Sequence, residues 1–357
     1  MKTAIAVTEG ALNFRPRTAN LPDAPGPWRV AWSSTVAVRP GQSRLLDFNG
    51  ELVLVNAPSG ITTIDDGPPS EERLLSRRRV EVRPANDSRA LLFDEAGLLY
   101  RWSPGAQPEQ VWDTSTPPNS LEAIALSDKL LLVQHPIAKN ADGWITELIN
   151  PEVGVVWKRS GDLRGALPWN DSVLVIPAQR HSVVRLSVAE GTPVWECSLE
   201  DQVATIIAVV AETLWLRTYE GELIAVEVES GAVRTRLRVP LAAVPEGVVD
   251  ERGWLHLCTG PSYTILDLTA DGAVISSEIL PVGDDAPSLV FGSAAIPITD
   301  GRLLFFDRNG SIYTTRTGAV QPPTLLWRSP APLLDCQVAR ETVFILDREG
   351  RLSALRP

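Results

Sequence analysis

A glycine that opens a short alternating strand recurs along most of this chain, and nothing else in the sequence limits the fold as much. It is clearest in Gly60-Ile61-Thr62-Thr63-Ile64-Asp65, Gly97-Leu98-Leu99-Tyr100-Arg101-Trp102 and Gly221-Glu222-Leu223-Ile224-Ala225-Val226. It returns in Gly310-Ser311-Ile312-Tyr313 and Gly350-Arg351-Leu352-Ser353-Ala354-Leu355. Gly143-Trp144-Ile145 and Tyr263-Thr264-Ile265-Leu266-Asp267 are looser copies, and His181-Ser182-Val183-Val184-Arg185-Leu186 lacks the glycine. The copies lie on average about 41 residues apart, a period typical of repeat architectures. A second phrase, an apolar residue followed by tryptophan, comes about fifteen residues later. It reads Val111-Trp112, Val156-Trp157, Val194-Trp195 and Leu326-Trp327, with degenerate copies near Leu75, Arg236 and Glu278. No tryptophan follows Gly350; the missing phrase stands at the other end, in Trp28-Arg29-Val30-Ala31-Trp32.

Each unit holds four short runs with period-2 alternation, separated by Gly, Asn, Asp or Pro turns. The clearest set is Ala204–Val210, Thr213–Thr218, Glu222–Val228 and Val233–Val239. Four strands repeated radially make a propeller blade, and such sheets bury both faces only by packing around a ring. The displaced tryptophan phrase predicts how the ring closes: the last blade takes three strands from Leu334–Leu355 and its outer strand from Trp28–Val38. The expected fold is therefore all-β, an eight-bladed β-propeller of four-stranded antiparallel blades closed by an N-terminal outer strand. No stretch sustains a 3.6-residue pattern, and 29 prolines with 25 glycines supply the turns of a loop-rich ring. Residues 1–27 read as an N-terminal arm outside the ring, either disordered or extended and docking a partner. Residues 28–357 read as the propeller.

The two phrases together resemble the quinoprotein-like (PQQ-repeat) propeller superfamily, whose unit runs from glycine through a strand and a Thr-Gly turn to Val-Trp. Gly221-Glu222-Leu223-Ile224-Ala225-Val226-Glu227 with Ser230-Gly231, and Val188-Ala189-Glu190-Gly191-Thr192-Pro193-Val194-Trp195, carry the likeness. It covers the chain from about residue 28 onward and implies the fold, with WD40-like blade architecture. The quinone-dependent dehydrogenases of that superfamily carry adjacent cysteines and a calcium site. The cysteines here stand apart at 197, 258 and 336, so neither cofactor nor metal is expected.

Charge and termini narrow the partners. Thirty-three Lys+Arg against 44 Asp+Glu give a net charge of −11, a poor surface for sequence-independent nucleic-acid binding. No apolar run approaches the ~20 residues of a membrane span. The first ten residues lack the apolar core of a secretory signal, and no cysteine precedes Cys197 to carry a lipid anchor. A cytoplasmic bacterial protein with reduced thiols is the expectation.

Turns between second and third strands share one face of a propeller. That assignment brings Asp94-Glu95, the stretched loop from His135 to Gly143, Arg180-His181, Tyr219-Glu220, Asp307-Arg308-Asn309 and Asp347-Arg348-Glu349 to one side. The candidate partner- or ligand-binding residues are His135, Ile137, Lys139, Arg180, His181, Tyr219, Arg308 and Arg348. Insertions in a repeat fold commonly map to its binding face, and the loop after Gln134 is one. Trp144 and Trp169 fall outside the tryptophan register and are candidates for exposed contacts, whereas His256 reads as a packing histidine. No nucleophile, phosphate-loop or zinc motif appears. The expected function is a non-catalytic scaffold that binds a partner protein through one loop face, in a setting such as an accessory subunit or an immunity-type protein. The alternative is an enzyme of lyase or hydrolase type, with His135, His181, Tyr219 and Arg308 converging over the central channel on a small-molecule ligand.

Overall fold

The computed structural model describes residues 5–7, 14–16, 28–38, 43–48, 51–56, 60–64, 67–69, 73–74, 80–86, 89–94, 98–113, 122–127, 130–136, 143–150, 152–239, 246–249, 252–259, 262–279, 296–298, 300–306, 310–316 and 324–357. Period-2 alternation becomes strand almost throughout. Two short strands, β1 (Ile5–Val7) and β2 (Phe14–Pro16), precede β3 (Arg29–Thr35). The first sheet follows as β4 (Ser43–Phe48), β5 (Glu51–Asn56), β6 (Gly60–Ile64) and β7 (Arg73–Leu74). The second holds β8 (Val80–Asn86), β9 (Arg89–Asp94), β10 (Leu98–Trp102) and β11 (Glu109–Asp113). The third holds β12 (Glu122–Ser127), β13 (Leu130–Pro136), β14 (Trp144–Asn150) and β15 (Gly154–Ser160). The fourth holds β16 (Leu163–Trp169), β17 (Ser172–Pro177), β18 (Ser182–Ser187) and β19 (Pro193–Ser198). The fifth holds β20 (Val203–Val210), β21 (Thr213–Thr218), β22 (Glu222–Glu227) and β23 (Val233–Arg238). The sixth holds β24 (Glu246–Val249), β25 (Trp254–Thr259), β26 (Ser262–Asp267) and β27 (Ala273–Ile279). The seventh holds β28 (Ile296–Pro297), β29 (Arg302–Phe306), β30 (Ser311–Arg316) and β31 (Thr324–Arg328). Last come β32 (Leu333–Ala339), β33 (Thr342–Asp347) and β34 (Arg351–Arg356). The only helical piece among the described residues is a 3-10 turn at Leu268–Ala270.

Strands consecutive in sequence neighbour one another in each sheet, apart from the N-terminal strands β1, β2 and β3, and the final sheet reads β3-β34-β33-β32. The N-terminal strand β3 thus lies antiparallel on the outer edge of β34, with Arg29 opposite Arg356 and Thr35 opposite Arg351. That is where the displaced tryptophan phrase put it.

Apolar residues on both faces of each sheet are buried because neighbouring sheets pack face to face. Among the described residues seven apolar clusters form, each shared by two successive sheets. One joins Leu45, Leu52, Leu54 and Ile64 of the first sheet to Phe344, Leu346, Leu352 and Ala354 of the last. Polar contacts reinforce this join: the Leu45 N–H donates to Asp335 Oδ2 at 2.8 Å, and Gln337 Nε2 donates to the Leu45 carbonyl at 3.1 Å. The first strands of successive sheets lie side by side, β8 by β12, β12 by β16, β16 by β20 and β32 by β4. They are therefore the strands nearest a common axis, and the fourth strands lie outermost.

Residues 1–27 read as an arm beyond the ring, yet two pieces of them join sheets. β1 pairs antiparallel with β20, and β2 pairs parallel with β24. Both lie on the axial side of their sheets, so the fifth and sixth carry five strands each. Three-residue strands are too short for alternation to announce them.

Candidate functional site

Turns between second and third strands come together where the fourth and fifth sheets meet. Arg180 sits in the β17–β18 turn with φ +62°, a left-handed conformation that a non-glycine residue adopts at some cost. Neighbouring backbone holds it there. Its N–H donates to the Pro177 carbonyl at 2.9 Å, and its carbonyl accepts from the Val203 N–H at 2.7 Å. The guanidinium reaches across to the next sheet, where Nη1 donates to the carbonyls of Val203 and Ala204 at 3.3 and 3.1 Å. Its carbon lies 5.3 Å from the centre of the Tyr219 ring, a cation–π stack. Tyr219 is fixed in turn, its N–H donating to the Gln202 carbonyl at 3.0 Å. His181 Nε2 lies 3.4 Å from Gln202 Nε2, and the Leu199 N–H donates to the His181 carbonyl at 2.7 Å.

The result is an aromatic ring 59% exposed to solvent on a backbone with little freedom. On the same blade junction Arg236 Nη1 lies 3.6 Å from both Asp201 Oδ2 and Glu222 Oε2, one cation between two carboxylates. Two residues before Tyr219, burial holds Arg217 below the usual arginine range. Burial pushes the Cys197 thiol up against the pull of Arg236, which suits an inert core thiol and not a nucleophile. The arrangement offers a planar aromatic surface beside fixed charge, the chemistry of a contact surface.

The other sequence candidates fall elsewhere. His135 lies in β13, not in the stretched loop; its side chain is largely covered and sits 3.5 Å from Glu147 Oε1. Lys158 Nζ approaches the same oxygen at 2.9 Å. Register explains the group, since Glu147 stands opposite Lys158 across β14–β15. Glu147 and Lys158 were not candidates in the sequence, because the pairing that joins them depends on strand register. Arg348 is exposed in the β33–β34 turn of the last sheet, its N–H donating to the Pro332 carbonyl at 2.9 Å. Ile137, Lys139 and Arg308 lie outside the described residues. Among the candidates, then, Arg180, His181 and Tyr219 come together, while His135 belongs to a separate ion-pair group. Trp169 departs from expectation: it is buried between the fourth and fifth sheets, because the face of β16 that carries it packs on Val203 and Val209. Trp144 is half-covered, and His256 is buried within β25. Among the described residues no group of three or more His, Cys, Asp or Glu could hold a metal ion.

Solved structures with this arrangement are numerous. BamB from Moraxella catarrhalis aligns with a TM-score of 0.58 at 12% identity, over 92% of this chain and 100% of that one. The fold is a β-propeller. The computationally designed protein Ika8 aligns at 0.56 and 12% identity, over 91% of this chain and 100% of its own. Virginiamycin B lyase from Staphylococcus aureus aligns at 0.50 and 12% identity, over 92% and 99%. No protein-family model matches the chain, and no curated protein matches it. At such identities the likeness speaks for the propeller fold alone.

Proposed function

We propose that residues 28–357 form an eight-bladed propeller of the quinoprotein-like type that binds another protein through the turn face around Arg180, His181 and Tyr219. The observation that carries this reading is Tyr219: an exposed aromatic pinned by a stacked arginine whose own guanidinium is hydrogen-bonded to the next blade. Tyrosine and arginine are enriched in interface hot spots, and tyrosine offers large contact area for little lost side-chain freedom. Here the freedom is already gone before any partner arrives, which favours tight binding. Arg348 belongs to the same face at greater distance. The eighth blade is the β3-β34-β33-β32 sheet, and the β32–β4 contact is the seam of the ring. A reducing, cytoplasmic setting belongs to the same proposal, with the buried Cys197 and Cys336 as thiols.

Capture of a partner on immobilised protein tests the reading. Tyr219→Ala is expected to weaken capture by at least about thirtyfold, equivalent to about 2 kcal/mol, with the melting temperature nearly unchanged. Equal capture by wild type and Tyr219→Ala would move the interface away from this face.

A further inference from the structure

The axial edges of two blades are already occupied by the chain itself. β20 buries all eight of its residues, Val203–Val210, and none carries a charge. Along its axial edge runs β1, with Ile5 opposite Val210, Ala6 opposite Val209 and Val7 opposite Ala208. Beside it β2 takes the axial edge of β24, with Phe14 opposite Gly247, Arg15 opposite Val248 and Pro16 opposite Val249. β1 also lies against β2 and against β16 of the fourth blade. The two short strands therefore sit together where the first strands converge.

An edge strand presents a row of unpaired N–H and C=O groups, and an apolar, uncharged one is a ready template for another strand. Among the described sheets only β20 and β24 have that axial edge paired. Their pairing is weak by construction. Each ladder is three residues long, and Pro16 brings no N–H to the second. A longer extended segment would make the same backbone pairs along all eight residues of β20.

We infer that the axial edges of β20 and β24 form a strand-accepting site, held at rest by residues 5–7 and 14–16. The protein partner enters it as an extended segment, apolar and uncharged where it lies along β20, that displaces them. This is strand addition to a sheet edge, with main-chain hydrogen bonds supplying affinity and side-chain pockets on alternate residues supplying selectivity. The chain's own strand acts as a tethered competitor, lowering apparent affinity until a better-matched segment arrives. The inference rests on the protein-binding reading of the propeller and adds to it what part of the partner is recognised.

The test uses the full chain and one synthetic probe, a labelled peptide of residues 1–18. Ala6→Cys with Val209→Cys joins two residues that face each other across the ladder and locks β1 in place when oxidised. Ala6→Pro, in a second full-length variant, weakens β1 without touching the propeller. The peptide is expected to bind Ala6→Pro at least tenfold tighter than wild type, and the oxidised double-cysteine chain at least tenfold more weakly than the same chain reduced. Amide exchange at Ala208–Val210 should accelerate in Ala6→Pro while β33 stays protected. Failure of the cysteine pair to cross-link in the folded chain, or equal peptide binding to all forms, would overturn the inference. No partner is needed, so either result leaves the Tyr219 experiment to judge the turn face separately.

Discussion

The recurring tryptophan and a glycine in the turn between third and fourth strands are two halves of one lock. Trp157 Nε1 donates to the Val188 carbonyl of the next blade at 2.9 Å, and Trp195 Nε1 donates to the Val228 carbonyl at 2.8 Å. Three residues past each carbonyl stands a glycine with positive φ, Gly191 at +67° and Gly231 at +74°. A Cβ on Gly191 would lie 2.6 Å from the Trp157 ring, and one on Gly231 would lie 2.8 Å from the Trp195 ring. Gly231→Ala is therefore expected to destabilise the protein by about 1–3 kcal/mol, from backbone strain and a displaced indole. Thermal unfolding checks this, and an unchanged midpoint would refute the lock. The fifth blade has Thr235 where the third and fourth have tryptophan, and Trp215 of β21 does the work instead. Its Nε1 donates to the Leu268 carbonyl at 3.2 Å, beside Gly272. The tryptophan phrase was legible in sequence, but not its join to the turn glycine, nor this replacement from another strand. At the same turn, hydrogen bonds from Ser230 and then Arg234, with the charge of Arg234, hold the Glu227 carboxyl below its ordinary 4.5. Its stabilisation is complete above that value and lost as pH falls through the lower folded value, because the unfolded chain takes up the proton first. Melting curves of wild type and Glu227→Gln should converge on acidification; a gap independent of pH would show that the carboxylate contributes nothing through its charge.

At the level of strands, the apolar residue before each tryptophan has a use of its own. In seven outer pairings among the described residues the register shifts by one, as between Arg185 and Leu186 opposite Trp195 and Pro193. The skipped residues are Val111, Val156, Val194, Arg234, Ile275, Leu326 and Ala31, each directly before the tryptophan position. The sequence phrase is thus a β-bulge on the outermost strand. Such a bulge twists the edge and makes it a poor template for pairing with other molecules. It also places the tryptophan equivalents of the fifth and sixth blades at Thr235 and Ser276, near the degenerate copies around Arg236 and Glu278. Two-residue hairpins show the opposite economy. Ala211 and Glu212 both have positive φ, at +48° and +62°, as do Arg340 and Glu341. These are turns that Asn-Gly makes with far less strain. Ala211→Asn with Glu212→Gly should raise stability by about 1 kcal/mol, read from denaturant midpoints at constant slope. A lower midpoint would mean that the turn is not of this type.

On the scale of the molecule, the sequence revealed its ring because the repeat is a ring's own period, and the missing phrase at one end reappears at the other. Sites on the turns are less legible, since they depend on which turns adjoin. Arg180 and Tyr219 are 39 positions apart in sequence and meet only because blades stack. His135 looked like a loop residue because Pro136 follows it, but β13 continues through both. The central claim is that the chain ends meet in one sheet, with β3 on the edge of β34. Thr35 and Arg351 face each other there, and both are exposed. Thr35→Cys with Arg351→Cys should form an intramolecular disulfide on mild oxidation of the folded protein. By closing a loop of roughly 300 residues it should raise stability by up to about 5 kcal/mol. Peptide mapping of the oxidised protein, followed by its unfolding curve, reads both effects. A 35–351 cross-link with a raised midpoint is the expected result; thiols that stay free in the folded, oxidised protein would contradict the closure on which the rest depends.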